Sequence, residues 1–184
     1  MLGEYPELFR EEIGELKCIT GKLNVRDKAQ PAFLKARQVP YALRPRVEAE
    51  LTKLERQGII SPVESSDWAT PIVPVPKPNG GVRICGDFKV TVNPNLNIEC
   101  YPLPRVEDVH ANLSAGQRYS KLDLCQAYLH MVIDAESREL LTINTHKGLF
   151  VYSRLPFGIA SVPAEVEMHG TGTPRHTWSP VHLG

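Results

Sequence analysis

Apolar positions recur at helical spacing in two places along the chain. Between residues 44 and 57, Val47, Leu51 and Leu54 line one face, Pro45 suits a first turn and Gly58 supplies a stop, so a helix is predicted there. A second, shorter helix is predicted over 104–113, with Val106, Val109 and Leu113 on its apolar side. Elsewhere the period is two. Pro71-Ile-Val-Pro-Val-Pro-Lys-Pro78 alternates proline with valine, a pattern for an edge strand and against a central one, because proline donates nothing to a ladder. Pro78-Asn-Gly-Gly81 offers a tight turn, and Val82, Ile84 and Phe88 follow at period two. The two runs make a hairpin with Lys77 on one arm and Arg83 on the other. Tyr119-Ser-Lys-Leu-Asp-Leu124 alternates again, with Leu122 and Leu124 on one face and Lys121 and Asp123 on the other. Further strands are predicted at 129–133, 140–144 and 149–153, the last two joined by the turn Thr145-His-Lys-Gly148. The loop Leu155-Pro-Phe-Gly158 leads to a helix expected near Ser161, and there are no internal repeats.

Composition changes this picture in three ways. With 21 Lys+Arg against 21 Asp+Glu the 184-residue chain has no net charge, which excludes a wholly basic nucleic-acid binder. The cancellation hides an asymmetry, however: residues 20–60 hold nine basic side chains (Lys22, Arg26, Lys28, Lys35, Arg37, Arg44, Arg46, Lys53, Arg56) against four acids. Two readings of that excess stand side by side, a solvated helix face and a surface for a phosphate backbone. Proline is the second departure: 16 residues, eight of them between Pro62 and Pro104. Third, from Glu165 onward only five of twenty residues are hydrophobic, and His169, His176 and His182 fall there at a spacing unlike a helical metal pair, so a disordered tail is expected. Cys18, Cys85, Cys100 and Cys125 are scattered without a Cys-x-x-Cys, which favours free thiols. No apolar run reaches membrane-spanning length and the N-terminal stretch is acidic, so an intracellular, non-secreted protein is expected, in cytoplasm or nucleus.

No nucleophile elbow, zinc-protease helix or dinucleotide fingerprint is present. The candidates for chemistry are Asp123 at a strand end, the Lys77/Arg83 hairpin and the loop around Phe157 and Gly158. Each alone is weak; their order is not. Trp68-Ala-Thr-Pro-Ile-Val-Pro-Val-Pro-Lys77, Val82-Arg-Ile-Cys-Gly-Asp-Phe88, Tyr101-Pro-Leu-Pro-Arg105, Tyr119-Ser-Lys-Leu-Asp-Leu-Cys-Gln-Ala-Tyr128 and Arg154-Leu-Pro-Phe-Gly158 closely resemble, in series, the reverse transcriptase of Ty3/gypsy-type LTR retrotransposons. The likeness spans roughly residues 5–165.

That resemblance implies an α+β fold: the fingers of a right-hand polymerase and an incomplete palm subdomain, with antiparallel sheet and packed helices. It implies an extended arm over 1–40, a fingers-like region over 41–118, a partial palm over 119–165 and a divergent tail over 166–184. It makes Asp123 the catalytic carboxylate that binds Mg²⁺, with the Leu124 carbonyl on the same metal. Tyr128 corresponds to the aromatic beneath the sugar that excludes a 2′-OH, although a core tyrosine is the plainer reading of that residue by itself. Lys77 and Arg83 correspond to fingers residues that grip the triphosphate, and Phe157 and Gly158 to a loop near nucleotide and template. Lys35, Arg37, Arg44, Arg46 and Lys53 become candidates for the template-facing surface. The implied partners are an RNA or DNA template-primer and dNTPs, with no membrane and no small-molecule cofactor.

One departure limits the expected activity. Two-metal nucleotidyl transfer needs more than one carboxylate, and the family supplies the others as a Tyr-x-Asp-Asp turn. This chain has no Asp-Asp anywhere, and Asp134 is its last aspartate. The expectation is therefore a fragment of an RNA-directed DNA polymerase, without the thumb or the RNase H domain of the parent polyprotein and inactive alone. The alternatives are a template-binding remnant without catalysis and a non-functional truncated product.

Overall fold

The computed structural model describes residues 13–16, 20–78, 80–97, 105–107, 111 and 126–160. The predicted strand 119–124, the helix expected near Ser161, most of the helix 104–113 and the tail 166–184 lie outside them, as do Asp123, Leu124, Cys18, Cys100 and Cys125.

Helix α1 (Arg44–Arg56) forms where the periodicity places it. Pro45 sits in the first turn, where its missing N–H breaks no bond, and Val47, Leu51 and Leu54 are buried. Gly58, at φ +67°, ends the helix: its N–H donates to Glu55 O (2.9 Å) and the Ile59 N–H reaches Leu54 O (3.0 Å). This pair of bonds satisfies carbonyls that the last turn leaves open, and Ile59 and Leu54 are buried together. A residue with a Cβ would be strained at that φ, which explains why glycine stands there.

The chain then builds a five-stranded sheet from β2 (Ile60–Val63), β3 (Thr70–Pro76), β4 (Val82–Gly86), β6 (Thr142–Thr145) and β7 (Gly148–Tyr152), in the order β2-β7-β6-β3-β4. Strands β2 and β7, β7 and β6, and β3 and β4 pair antiparallel; β6 and β3 pair parallel. The sheet is thus mixed, and it draws strands from both the 41–118 and the 119–165 segments. Helix α1 packs against β2 and β4, and its apolar face joins Ile60, Ile72, Val82, Ile84, Ile143, Phe150 and Tyr152 in one core.

Strand β3 corrects the edge-strand expectation, since it lies between β6 and β4. The prolines are tolerated because β6 pairs only with Thr70 and Pro71, and the rest of that side of β3 has no partner strand among the described residues. On the other side, the Lys77 N–H donates to Gly81 O (2.8 Å), which by the two-residue period turns the N–H groups of Val75 and Val73 toward β4. Pro74 and Pro76 then place their missing N–H groups on the unpaired side.

Two other expectations shift. Of the predicted strand 129–133 only Val132–Ile133 (β5) pairs as a strand, because Ala127–His130 forms a 3-10 turn entered through Gln126 in left-handed backbone (φ 52°, ψ 44°) and the chain becomes extended only from Met131. Strand β6 begins at Thr142 rather than residue 140, because Leu140 and Leu141 lie in the 3-10 turn Glu139–Leu141, where both are buried. Between β5 and β6 lies the short helix α2 (Ala135–Arg138), capped by Asp134, whose carboxylate accepts from the Ser137 N–H at 2.8 Å. Phe88, expected at the end of β4, instead starts a 3-10 turn and is buried there.

The described part of the N-terminal arm is tied to the body of the fold at several points: the Leu16 N–H donates to His130 O, the Arg26 N–H to Asn95 O and the Leu34 N–H to Ala69 O. Strand β1 (Thr20–Gly21) pairs parallel with β5, and isolated bridges join Val25 to Leu96 and Phe33 to Ala69. Leu23 buries its side chain while its N–H donates to Ser137 Oγ (2.9 Å). These bonds pair several of the arm's backbone groups with the body of the fold.

Candidate nucleotide and template surface

Arg83 lies in β4 between the buried Val82 and Ile84, so alternation turns its side chain to the opposite, exposed face. Its guanidinium carbon stands 6.0 Å from the centroid of the Phe157 ring. Phe157 in turn meets Tyr128 edge-on, with centroids 5.0 Å apart and planes at 80°. A strand, a 3-10 turn and a loop far apart in sequence thus converge on a row of one cation and two aromatic rings. Such a row presents positive charge beside flat apolar surface, the combination that suits a phosphate attached to a base and sugar.

The loop carrying Phe157 is held at close quarters. Leu155 and Pro156 are buried, and Gly158 adopts φ +99°. A Cβ on Gly158 would lie 3.5 Å from Gly86 O, and one on Gly86 would lie 2.5 Å from Phe88 Cε2. Gly158 is required by its positive φ rather than by space, whereas a side chain on Gly86 would collide with the Phe88 ring that packs against the end of β4. Asn93 completes the clamp: its Nδ2 donates to Gly158 O (2.8 Å) and its Oδ1 accepts from the Ala160 N–H (3.0 Å). Asn93 is itself placed by the 3-10 turn Asn93–Asn95, where Asn95 Nδ2 donates to Thr91 O, and by the buried Thr70–Thr91 hydroxyl pair at 2.6 Å.

Lys77 takes a different partner. Its Nζ lies 3.4 Å from Glu50 Oε1 on α1, so the hairpin's two cations are engaged separately, one by a carboxylate and one by a ring. Of the five candidate template residues, Arg37 pairs with Asp87, and Arg44 donates from Nε to Val39 O (3.3 Å) and lies over the Tyr41 ring. Lys35, Arg46 and Lys53 are exposed and make no ion pair among the described residues. Glu48, the other acid near the middle of α1, is taken up by His146 at 3.0 Å.

Burial raises the pKa of the Cys85 thiol, and the neighbouring Arg83 charge opposes that shift. Tyr152, fully enclosed, is pushed well above the ordinary phenol value by desolvation first and then by Cys85 and Glu50. Cys85 is a free thiol.

A metal centre is tested by the carboxylates present. Among the described residues no group of three His, Cys, Asp or Glu side chains could hold an ion. Asp87 is committed to Arg37, and Asp134 caps α2. Asp123 and Leu124 lie outside the described residues, so the described part of the fold supplies no second carboxylate for Mg²⁺.

Arg83, Tyr128, Phe157 and Gly158 are brought to one place; Lys77 is directed to α1. Sequence reasoning missed Asn93, Glu50 and the left-handed Gln126. A lone Asn before a proline and a Glu on a helix carry no local signal of a contact 65 or 27 residues away.

No family model matches the chain. It is 39% identical over 166 residues, 89% of its length, to an uncharacterized protein of Caenorhabditis elegans, of which it spans 13%. It is 28% identical over 170 residues to the retrovirus-related Pol polyprotein from transposon opus of Drosophila melanogaster, spanning 17% of it. It is 30% identical over 118 residues to the transposon Tf2-3 polyprotein of Schizosaccharomyces pombe, spanning 9%. Among solved structures, a prototype foamy virus protease-reverse transcriptase superposes with a TM-score of 0.79 at 23% identity, over 92% of this chain and 23% of that one. A foamy viral protease-reverse transcriptase in complex with an RNA/DNA hybrid gives 0.73 at 20% identity, again over 92% of this chain and 23% of that one. The shared feature is the mixed α+β fold of polymerase fingers and palm.

Proposed function

From the premise that this chain is a retrotransposon-like reverse-transcriptase fold segment matching Ty3/gypsy-type Pol polyproteins, we propose that it forms the nucleotide- and template-facing side of an RNA-directed DNA polymerase site and does not by itself complete nucleotidyl transfer. The observation that carries this is the convergence of Arg83, Phe157 and Tyr128. Arg83 offers a planar donor set to phosphate oxygens, and the Tyr128–Phe157 pair offers a rigid apolar wall to the sugar. Asp123 supplies one carboxylate toward Mg²⁺, which in such enzymes polarises the reacting oxygens. A chain without an Asp-Asp pair offers too few carboxylates to hold two such ions. The free cations Lys35, Arg46 and Lys53 bind the phosphates of a template-primer. The domain boundaries proposed are an arm over 1–40, fingers over 41–118, partial palm over 119–165 and tail over 166–184.

Primer extension and hybrid binding test this together. With a primed RNA template, Mg²⁺ and dNTPs, the chain gives no product above that of Asp123→Asn, while an RNA–DNA hybrid is bound with an affinity that falls with salt. Three phosphate contacts correspond to a slope of roughly −3 in log K against log salt. Reproducible extension abolished by Asp123→Asn overturns the claim of incomplete catalysis, and affinity independent of salt overturns the template surface.

A further inference from the structure

Arg154 follows β7 and leads into the loop that carries Phe157 three residues later, and its backbone bridges antiparallel to Val132 of β5. Its side chain is only 17% exposed and donates in two directions. Its Nη1 lies 3.4 Å from His130 O, at the end of the 3-10 turn Ala127–His130 that carries Tyr128. The same nitrogen lies 3.4 Å from Gly14 O, and Nη2 lies 3.2 Å from Glu15 Oε2, both on the N-terminal arm. One guanidinium thus ties together three segments: the carrier of Phe157, the carrier of Tyr128 and the arm.

The arm meets the same turn through contacts of its own. The Leu16 N–H donates to His130 O at 2.8 Å, so that carbonyl accepts from the arm and from the guanidinium together. A Cβ on Gly14 would lie 3.4 Å from His130 Nδ1, so the arm backbone passes close against the imidazole, and Ile13 and Tyr128 both pack on the hydrophobic core. The arm also completes the electrostatics. A guanidinium with little access to water needs its donors and its charge matched, and of the three acceptors that Arg154 meets two belong to the arm, the carboxylate among them. The backbone bond from the Leu155 N–H to Met131 O (3.0 Å) joins the two ring-bearing segments at their roots. What the arm adds is a hold on the turn ahead of Met131, where Tyr128 stands.

We propose that arm residues 13–16, gripped by Arg154, are a strut that sets the Tyr128 ring edge-on to Phe157, and that the wall facing the nucleotide forms only while the arm is docked. Arg154 acts through Tyr128 as a positioning residue, and arm docking sets the fraction of chains whose wall is competent. The assignment rests on the reading of Arg83, Phe157 and Tyr128 as the nucleotide-facing side. It adds a remote requirement to that site, met by a carbonyl 140 residues before the arginine that grips it.

NMR on the full chain carrying 13C-labelled tyrosine tests it, the Tyr128 ring signal being the one lost in Tyr128→Phe. Two variants release the arm: Arg154→Gln removes the grip, and Glu15→Lys, at an exposed position, sets like charges against each other. Each speeds exchange of the Leu16 amide about tenfold and moves the Tyr128 signal toward that of a tyrosine with no ring beside it. Titration with dTTP, followed at the same signal, shows affinity weakened about 3- to 10-fold, in proportion to the docked fraction lost. An Arg154 that serves stability alone would lower protection throughout the sheet and leave the ring signal in place. Should Arg154→Gln fail to fold, Glu15→Lys decides. Faster Leu16 exchange with an unmoved Tyr128 signal overturns the strut, and so does unchanged Leu16 exchange in both variants. A Tyr128 signal that does not respond to dTTP in the unaltered chain overturns the nucleotide-facing reading, while the strut is still decided by the ring signals of the variants.

Discussion

Replacing Asn93 with alanine removes two hydrogen bonds at once, to Gly158 O at 2.8 Å and from Ala160 N at 3.0 Å. An ordinary hydrogen bond contributes about 0.5–1.5 kcal/mol net, and the Gly158 bond is exposed, so the change costs about 1–2 kcal/mol. The turn that carries Asn93 keeps its own bonds, from Asn95 N to Val92 O and from Asn95 Nδ2 to Thr91 O, so the loss is confined to the loop. Native-state hydrogen exchange should show the Ala160 amide exchanging about 5- to 30-fold faster, with β6 and β7 amides changing only as far as global stability does. In urea, with a slope of about 2 kcal/mol per molar, the midpoint falls by roughly 0.5–1 M. Asn93→Asp separates the two bonds: its carboxylate still accepts from Ala160 N but faces Gly158 O without a proton. It should therefore be more damaging at neutral pH than where the acid is protonated. Unchanged Ala160 exchange in Asn93→Ala would refute the clamp.

Two further outcomes follow from close packing and burial. Gly86→Ala places a Cβ 2.5 Å from Phe88 Cε2, a ring that is 1% exposed and has no room to retreat, so it should cost about 1–3 kcal/mol in a urea melt; an unchanged midpoint would mean that β4 and Phe88 do not meet as described. Alkali is the other perturbation: Cys85 and Tyr152 both have raised folded pKa values, so the unfolded chain releases protons that the folded chain keeps. Their stabilisation is complete below the unfolded values and declines as pH rises above them. For the enclosed Tyr152 the decline is up to about 1.4 kcal/mol per pH unit beyond about pH 10. Tyr152→Phe should remove the tyrosine's share of the decline and leave that of Cys85, and stability that rises with alkali would contradict the burial of both groups.

Much of the fold was legible because it is local. Val47, Leu51 and Leu54 declare α1 by spacing alone, and Gly58 announces its end because only glycine takes that backbone cheaply. The hairpin of β3 and β4 follows from a two-residue period interrupted by Pro78, Gly80 and Gly81. The turn after β6 was equally readable: Gly148 sits at φ +116°, and Thr145 Oγ1 donates to Gly148 O at 2.9 Å. Where local pattern failed, a long-range contact prevailed. Proline in β3 argued for an edge, but whether a strand is central depends on what lies beside it, and β6 comes from some seventy residues later. Leu129 and Met131 alternate as a strand would, yet Gln126 turns left-handed and coils the segment that contains Leu129, leaving the chain extended only from Met131.

The candidate site divides in the same way. The order of motifs along the chain carried the resemblance that grouped Arg83, Tyr128, Phe157 and Gly158, because motif order is a property of the string itself. Their actual meeting, an arginine near one ring and a second ring edge-on to it, depends on a loop that Asn93 holds through Gly158 and Ala160 and that takes positive φ at Gly158. Lys77 shows the converse: its type suggested a phosphate grip, and only the packing of α1 beside the hairpin sends it to Glu50. The excess of positive charge in residues 20–60 could be counted from the string, but which cations remain unpaired could not. Arg37 and Asp87 are 50 residues apart, and an ion pair at that separation exists only once the chain is folded. Spacing, turn residues and local charge act over a few residues and are written in the order of the amino acids. Strand neighbours, clamps and ion-pair partners act through space, and the tertiary packing decided each of them.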